Sequence, residues 1–129
     1  MIVQGDIANI IYMDCQQFDL PVYPKDNVPD GKVTSERIVV IPKSGTTETY
    51  WEKCFVEVNF CVPDKNGEAD LIRLTDLERM AVAVLKYKSG VYDDTRYRYK
   101  KESTSTGGDI ELECHFVNVR LLFEILNTR

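Results

Sequence analysis

Hydrophobic and polar residues alternate most clearly in two stretches of the chain. In the first, Tyr50 to Val62, the residues Cys54, Val56, Val58, Phe60 and Val62 share one parity, with Lys53, Glu57 and Asn59 between them. Successive side chains of a strand point to opposite faces, so this spacing predicts a long strand with one dry face. Trp51, Phe55 and Cys61 place apolar groups on the other face, as expected if part of it is also covered. The second stretch, Ile110 to Leu126, begins with Ile110, Leu112, Cys114 and Phe116 on even positions. It then carries its apolar set on Val117, Val119, Leu121, Phe123 and Ile125. A slip of one residue turns every later side chain to the wrong face, so one long strand with a β-bulge near position 117 is predicted.

Helical spacing appears twice. From Asp70 to Lys88, Leu71, Leu74, Leu77, Ala81, Val84 and Leu85 form one stripe. Asp70 or the Thr75–Glu78 pattern TDLE supplies a cap, and Ser89-Gly90 ends the helix after Lys86 and Lys88. A shorter helix over Asp6 to Gln16 is predicted from Ile7, Ile10, Ile11 and Val3, with Asp6 as its cap. Pro21, Pro24 and Pro29 between them exclude helix and central strand from LPVYPKDNVPDGKVT, which reads as an ordered loop or edge segment. Arg37 to Pro42 (RIVVIP) predicts a strand covered on both faces and ended by Pro42. SGTTET reads as a polar hairpin loop, PDKNG as a turn, Arg96 to Lys101 (RYRYKK) as a strand, and STSTGGD as a flexible tip. The order helix, strand, strand, helix, strand, strand predicts a single α+β domain over residues 1–129. Its sheet is expected to be mostly antiparallel, of about four strands, with two helices on one face.

The chemistry of the side chains narrows the function. A net charge of −5 argues against a protein that grips nucleic acid, which needs clustered Lys and Arg. In RYRYKK, Arg96, Arg98 and Lys100 share one face and Tyr97 and Tyr99 the other, so cations and aromatics do not form one stacking platform. Cys15, Cys54, Cys61 and Cys114 contain no CxxC pair and read as reduced, small core residues. A zinc site from Cys54, Cys61, Cys114 and His115 is disfavoured because strand neighbours diverge. Asp64, Asp70, Glu111 and Glu113 are the carboxylates a metal-dependent nuclease would need, but nothing in their spacing makes them converge. No nucleotide-binding glycine pattern, nucleophile elbow or HExxH motif is present, so no catalytic constellation is expected. What remains is assembly. Aromatic residues and arginine are enriched at protein interfaces, which makes Trp51, Phe55, Arg96, Tyr97, Arg98 and Tyr99 the candidate subunit-interface residues.

Read together, LPVYPKDNVPDG, RIVVIPKSG, FVEVNFCVPD and DLIRLTDLERMAVAVL, followed by a closing hairpin, make the chain resemble the tail completion or tail terminator proteins of bacteriophages and prophages over about residues 7–126. The resemblance rests on element order and segment texture, and supplies no motif residue to carry over. It implies a head-tail joining protein with no enzymatic activity and no cofactor that forms a ring, commonly a hexamer, at the end of the tail tube. Its partners would be its own copies, the tail tube protein and the head-completion or connector proteins. DNA would only pass through the lumen. The alternatives are a small phage-encoded metal-dependent nuclease and a monomeric protein-binding module. The N-terminus lacks the features of a secretory signal and no apolar run is long enough for a membrane span. The expected location is therefore the bacterial host cytoplasm during assembly, and the virion neck or tail afterwards.

Overall fold

The computed structural model describes residues 1–47 and 51–126. The chain begins with helix α1 (Gln4–Cys15), then a short strand β1 (Val22–Pro24), strand β2 (Arg37–Thr47) and strand β3 (Glu52–Pro63). Helix α2 (Leu71–Val84) follows, then β4 (Tyr87–Tyr92), β5 (Thr95–Asp109) and β6 (Cys114–Leu126). The strands form one sheet in the order β1-β2-β3-β6-β5-β4, parallel between β1 and β2 and antiparallel elsewhere. The expected four-strand sheet in the order α-β-β-α-β-β is therefore replaced by six strands in the order α-β-β-β-α-β-β-β.

Each added strand has a local cause. β1 lies at one sheet edge within the proline-rich segment. Only two of its three residues are non-prolines with an N–H to donate, a short run that an edge tolerates. Tyr87 and Lys88, the first residues of β4, were expected at the end of the second helix. Instead α2 closes at Val84, where Leu85 N–H donates to the Ala81 carbonyl at 2.8 Å, and Tyr87 starts a strand. A two-residue turn joins β4 to β5, with Asp93 and Asp94 at φ 49° and 58°. Left-handed φ at both central residues is the geometry that matches strand twist in a tight hairpin.

The expected end of β2 at Pro42 also fails, because the strand continues to Thr47 and absorbs Pro42 in a register shift between Pro42 and Gly45. Glu48, Thr49 and Tyr50, the end of the expected polar loop and the start of the expected strand, lie outside the described residues. Nor is 103–109 a free tip, since it pairs with β6 through to Asp109. Gly107 and Gly108 stand opposite Phe116 and His115, and a Cβ at either would come within 2.7 Å and 2.8 Å of those rings. Their glycines make room for the partner strand's side chains.

The two faces of the sheet differ. Both helices cover the front, where Ile7, Ile10 and Ile11 of α1 and Leu74, Leu77 and Ala81 of α2 meet Ile38, Val40, Val56, Val58, Phe60, Val119, Leu121 and Phe123. Val3, expected on the buried stripe of α1, is exposed, and Asp6 caps the helix from inside by accepting from Val3 N–H at 2.9 Å. Leu71 of the expected α2 stripe is exposed as well, while Asp70 caps that helix by accepting from Arg73 N–H at 3.3 Å. A bidentate Arg73–Glu36 pair at 2.7 and 2.8 Å ties α2 to the segment before β2.

No bulge occurs near position 117. The β3–β6 register runs unbroken from Pro63↔Cys114 to Glu52↔Ile125, and the irregularity lies in β5 between Lys101 and Ser103. The change of parity has another origin. Residues 110–113 form a turn, and at this end of the sheet the back face is covered too. Val33 packs there with Val39, Cys61 and Cys114 against Val28, Ile41, Leu112 and Phe116, and Val33 N–H donates to the Leu112 carbonyl at 2.9 Å. Cys114 and Phe116 therefore serve a second small core, whereas Val117 to Ile125 serve the first.

Candidate interaction surface

Beyond that covered end no helix lies on the back face, whose residues are half-buried by one another, with Glu124 buried, and carry a different chemistry. Strand parity brings Lys53, Phe55, Glu57 and Asn59 of β3 beside Asn118, Arg120, Leu122 and Glu124 of β6, and Arg98 of β5 beside Glu124. Asn118 Nδ2 donates to Glu57 Oε1 and to Asn59 Oδ1, each at 2.7 Å, and Lys43 lies 3.6 Å from Glu57. Arg98 donates to Glu124 at 3.1 and 3.4 Å, with Lys53 at 3.9 Å from the same carboxylate. Two arginines lie over rings, Arg98 at 4.0 Å from the Trp51 centroid and Arg120 at 3.8 Å from that of Phe55. The Arg120 Nε–H is buried and has no hydrogen-bond partner among the described residues. Such cation–π contacts contribute roughly 0.5–1 kcal/mol each when exposed, and more when desolvated.

Trp51, Arg96 and Arg98 border a shallow groove of about 450 Å³ with Tyr87 and Val91 of β4. Tyr87 and Val91 are 61% and 66% exposed, large values for apolar groups on an edge strand. Arg96 and Lys100 have no acid within ion-pair distance among the described residues, so this corner of an acidic protein is cationic and aromatic.

Of the six predicted interface residues, Trp51, Phe55, Arg96 and Arg98 lie together on this face. Tyr99 and the ring of Tyr97 belong to the other face, although Tyr97 also borders the groove. Both are buried on the front, stacked on Phe123 at 5.4 and 5.9 Å with interplanar angles of 10° and 19°. Tyr99 donates its hydroxyl to Asp14 at 2.7 Å, and Lys88 Nζ reaches the other carboxylate oxygen at 2.6 Å, which clamps α1 to β4 and β5. Burial, reinforced by the neighbouring Asp14 charge, pushes the Tyr99 phenol far up and keeps it a donor. The hydrogen bond to Asp14 raises the Lys88 ammonium pKa. The alternation RYRYKK separates the two residue types correctly. The tyrosines belong inside because the helices lie on their side of the sheet.

The alternative sites are taken up by structure. Asp64 Oδ1 lies 2.6 Å from His115 Nδ1, Asp70 caps α2, and Glu113 pairs with Lys32 at 3.1 Å. Among the described residues no group of three or more His, Cys, Asp or Glu side chains is placed to hold a metal ion. The Asp64–His115 pair, invisible in the spacing of the sequence, borders a cleft of about 580 Å³. That cleft is lined by glycines, Ile110 and further acids, and offers no hydroxyl, thiol or amine for the imidazole to activate. The cysteines diverge, with Cys54 in the main core and Cys61 and Cys114 in the small one. Burial pushes the Cys54 and Cys61 thiols up to about 11 and that of Cys15 up to about 12. Thiols held protonated in this way are poor nucleophiles and poor metal ligands. No helix among the described residues is long and apolar enough to cross a membrane.

No family model matches the chain. No curated protein matches it. A solved structure whose name states no function aligns with 95% of this chain and 94% of its own, at a TM-score of 0.56 and 13% identity. At that identity the likeness speaks for the fold alone.

Proposed function

We propose that this protein is a structural subunit of a phage or prophage tail, of the tail terminator or tail completion type, and that it works by binding proteins rather than by catalysis. In this reading copies of the chain close into a ring, commonly of six, that ends the tail tube and meets the head-completion or connector proteins. DNA passes through the lumen without being held, in the host cytoplasm during assembly and in the virion neck afterwards. The observation that carries the reading is the open back face. It is a broad sheet surface where arginines lie on aromatic rings, buried enough to be ordered and left uncovered by the chain's own helices. Interfaces are enriched in these residue types. The family resemblance of the proline-rich segment, β2, β3 and α2 supports the choice of assembly. A monomeric binding module would use the same surface and the free edge of β4, so oligomeric state separates the two.

The test is mass photometry and negative-stain imaging of the purified protein across a concentration series, alone and with tail tubes from the same phage or prophage. Ring-sized particles, or caps at tube ends, are the expected result. A monomer that ignores both its own copies and the tubes would end the proposal.

A further inference from the structure

The two ends of the sheet carry complementary surfaces. At one end the β5–β6 turn projects Ile110, which is 93% exposed, between Asp109 and Glu111. Asp109 is committed to the turn, accepting from Leu112 N–H at 3.0 Å. Glu111 is exposed and has no ion-pair partner among the described residues. The tip is thus a large apolar side chain beside an uncompensated carboxylate. At the other end lies the groove of Trp51, Tyr87, Tyr97 and Val91, apolar and aromatic in its walls, with Arg96 unpaired at its rim beside Arg98, whose charge is met by Glu124. The register places the tip beyond the Asp109↔Cys114 pair and the groove beside the Arg96↔Leu126 pair. The length of β6 separates them by roughly 35–40 Å, at about 3.3 Å per residue. A chain cannot bring its own tip to its own groove.

We infer that the Ile110 tip of one copy seats in the Trp51–Val91 groove of the next, with Glu111 against Arg96. The occupant is a second copy of this chain, on the grounds of charge and apolar complementarity between two surfaces of one acidic protein. Because tip and groove are different patches, the contact is head-to-tail and closes into a ring when its rotation permits. The inference rests on the assembly reading above and specifies its interface.

Cysteine pairing tests it directly, since the native cysteines are all buried. Ile110→Cys and Val91→Cys are made in separate chains, both at exposed positions where folding should be undisturbed, mixed, and oxidised with glutathione. Neither single variant can link tip to groove with its own kind, so a mixed disulfide well above random pairing is expected. Glu111→Arg on the tip chain should reduce it about tenfold, and Arg96→Glu on the groove chain should restore it. Random pairing, or a yield indifferent to the charge reversals, would overturn the inference. If oligomers persist in mass photometry while pairing is random, the ring stands and this interface falls. If neither appears, both fall.

Discussion

The front and back faces of the sheet are made by the same strands and obey opposite rules. On β6, Val117, Val119, Leu121, Phe123 and Ile125 point to the front, and all are buried in an apolar core beneath two helices. The residues between them, Asn118, Arg120, Leu122 and Glu124, point to the back, where hydrogen bonds, ion pairs and ring contacts hold them in place without a covering layer. Burial of hydrocarbon supplies most of a fold's stability, whereas exposed polar pairs contribute little. The front therefore accounts for the fold, and the back is ordered chemistry that the fold hardly needs. This is the physical basis for looking for function on the back.

Substitutions on the two faces should differ accordingly. The largest loss is expected for Phe123→Ala, which removes a fully buried ring and the surface on which Tyr97 and Tyr99 stack. About 3–5 kcal/mol should disappear in urea denaturation. Tyr99→Phe deletes only the hydroxyl to Asp14 and leaves that carboxylate paired with Lys88, so a loss of about 0.5–1.5 kcal/mol is expected by the same measurement. On the back, Arg98→Ala should cost less than Phe123→Ala, about 1–3 kcal/mol, because Glu124 is itself buried but keeps Lys53 nearby. The variant should nevertheless shift the emission of Trp51, the single tryptophan, whose ring loses its guanidinium cover. If Arg98→Ala destabilised the protein as much as Phe123→Ala, the division between faces would be wrong.

The smallest effect at neutral pH concerns the thiols. In the unfolded chain they ionise near the ordinary value of 9.0, and in the folded protein Cys54 and Cys61 do so near 11 and Cys15 near 12. The unfolded state thus loses protons first as pH rises. Stability should be flat below about pH 9 and fall through the window from 9 towards 11–12. The raised Lys88 ammonium acts in the same direction, its contribution being complete below the unfolded value and lost above the folded one. Denaturation midpoints from pH 7 to 10.5 check this, and a midpoint that rises with alkali would contradict the buried placement. A thiol reagent should find no reactive cysteine in the native protein at neutral pH.

Much of this division was readable before the structure. The alternation of β3 placed Cys54, Val56, Val58, Phe60 and Val62 inside, and all five are buried. Asp70 marked the start of α2, where it is the cap. What failed depended on distant partners. Lys86 to Lys88 looked like a helix end because positive charge suits that place, yet Tyr87 to Tyr92 pair with residues 95–100 through a two-aspartate turn. Residues 103–109 looked mobile because serine, threonine and glycine favour loops, but β6 gives them a ladder to complete. The parity change at 116–117 was real and its bulge was not, since the cause is the Val33 segment crossing behind the sheet. Parity put Trp51 and Phe55 on one face of their strand and Arg96 and Arg98 on one face of theirs, but that the two pairs share a face of the sheet depends on β6 lying between β3 and β5. Parity already set Tyr97 and Tyr99 opposite Arg96 and Arg98, but only the helices show that theirs is the covered face.

The central claim is that the uncovered back face is where this protein meets others, its own copies first. Sedimentation velocity of the wild type beside Arg96→Glu, over a concentration series at moderate salt, tests it most directly. A discrete closed oligomer in the wild type, lost in the variant at unchanged thermal stability, is the predicted result. A wild-type monomer at every concentration, or an oligomer that the charge reversal leaves untouched, would contradict it.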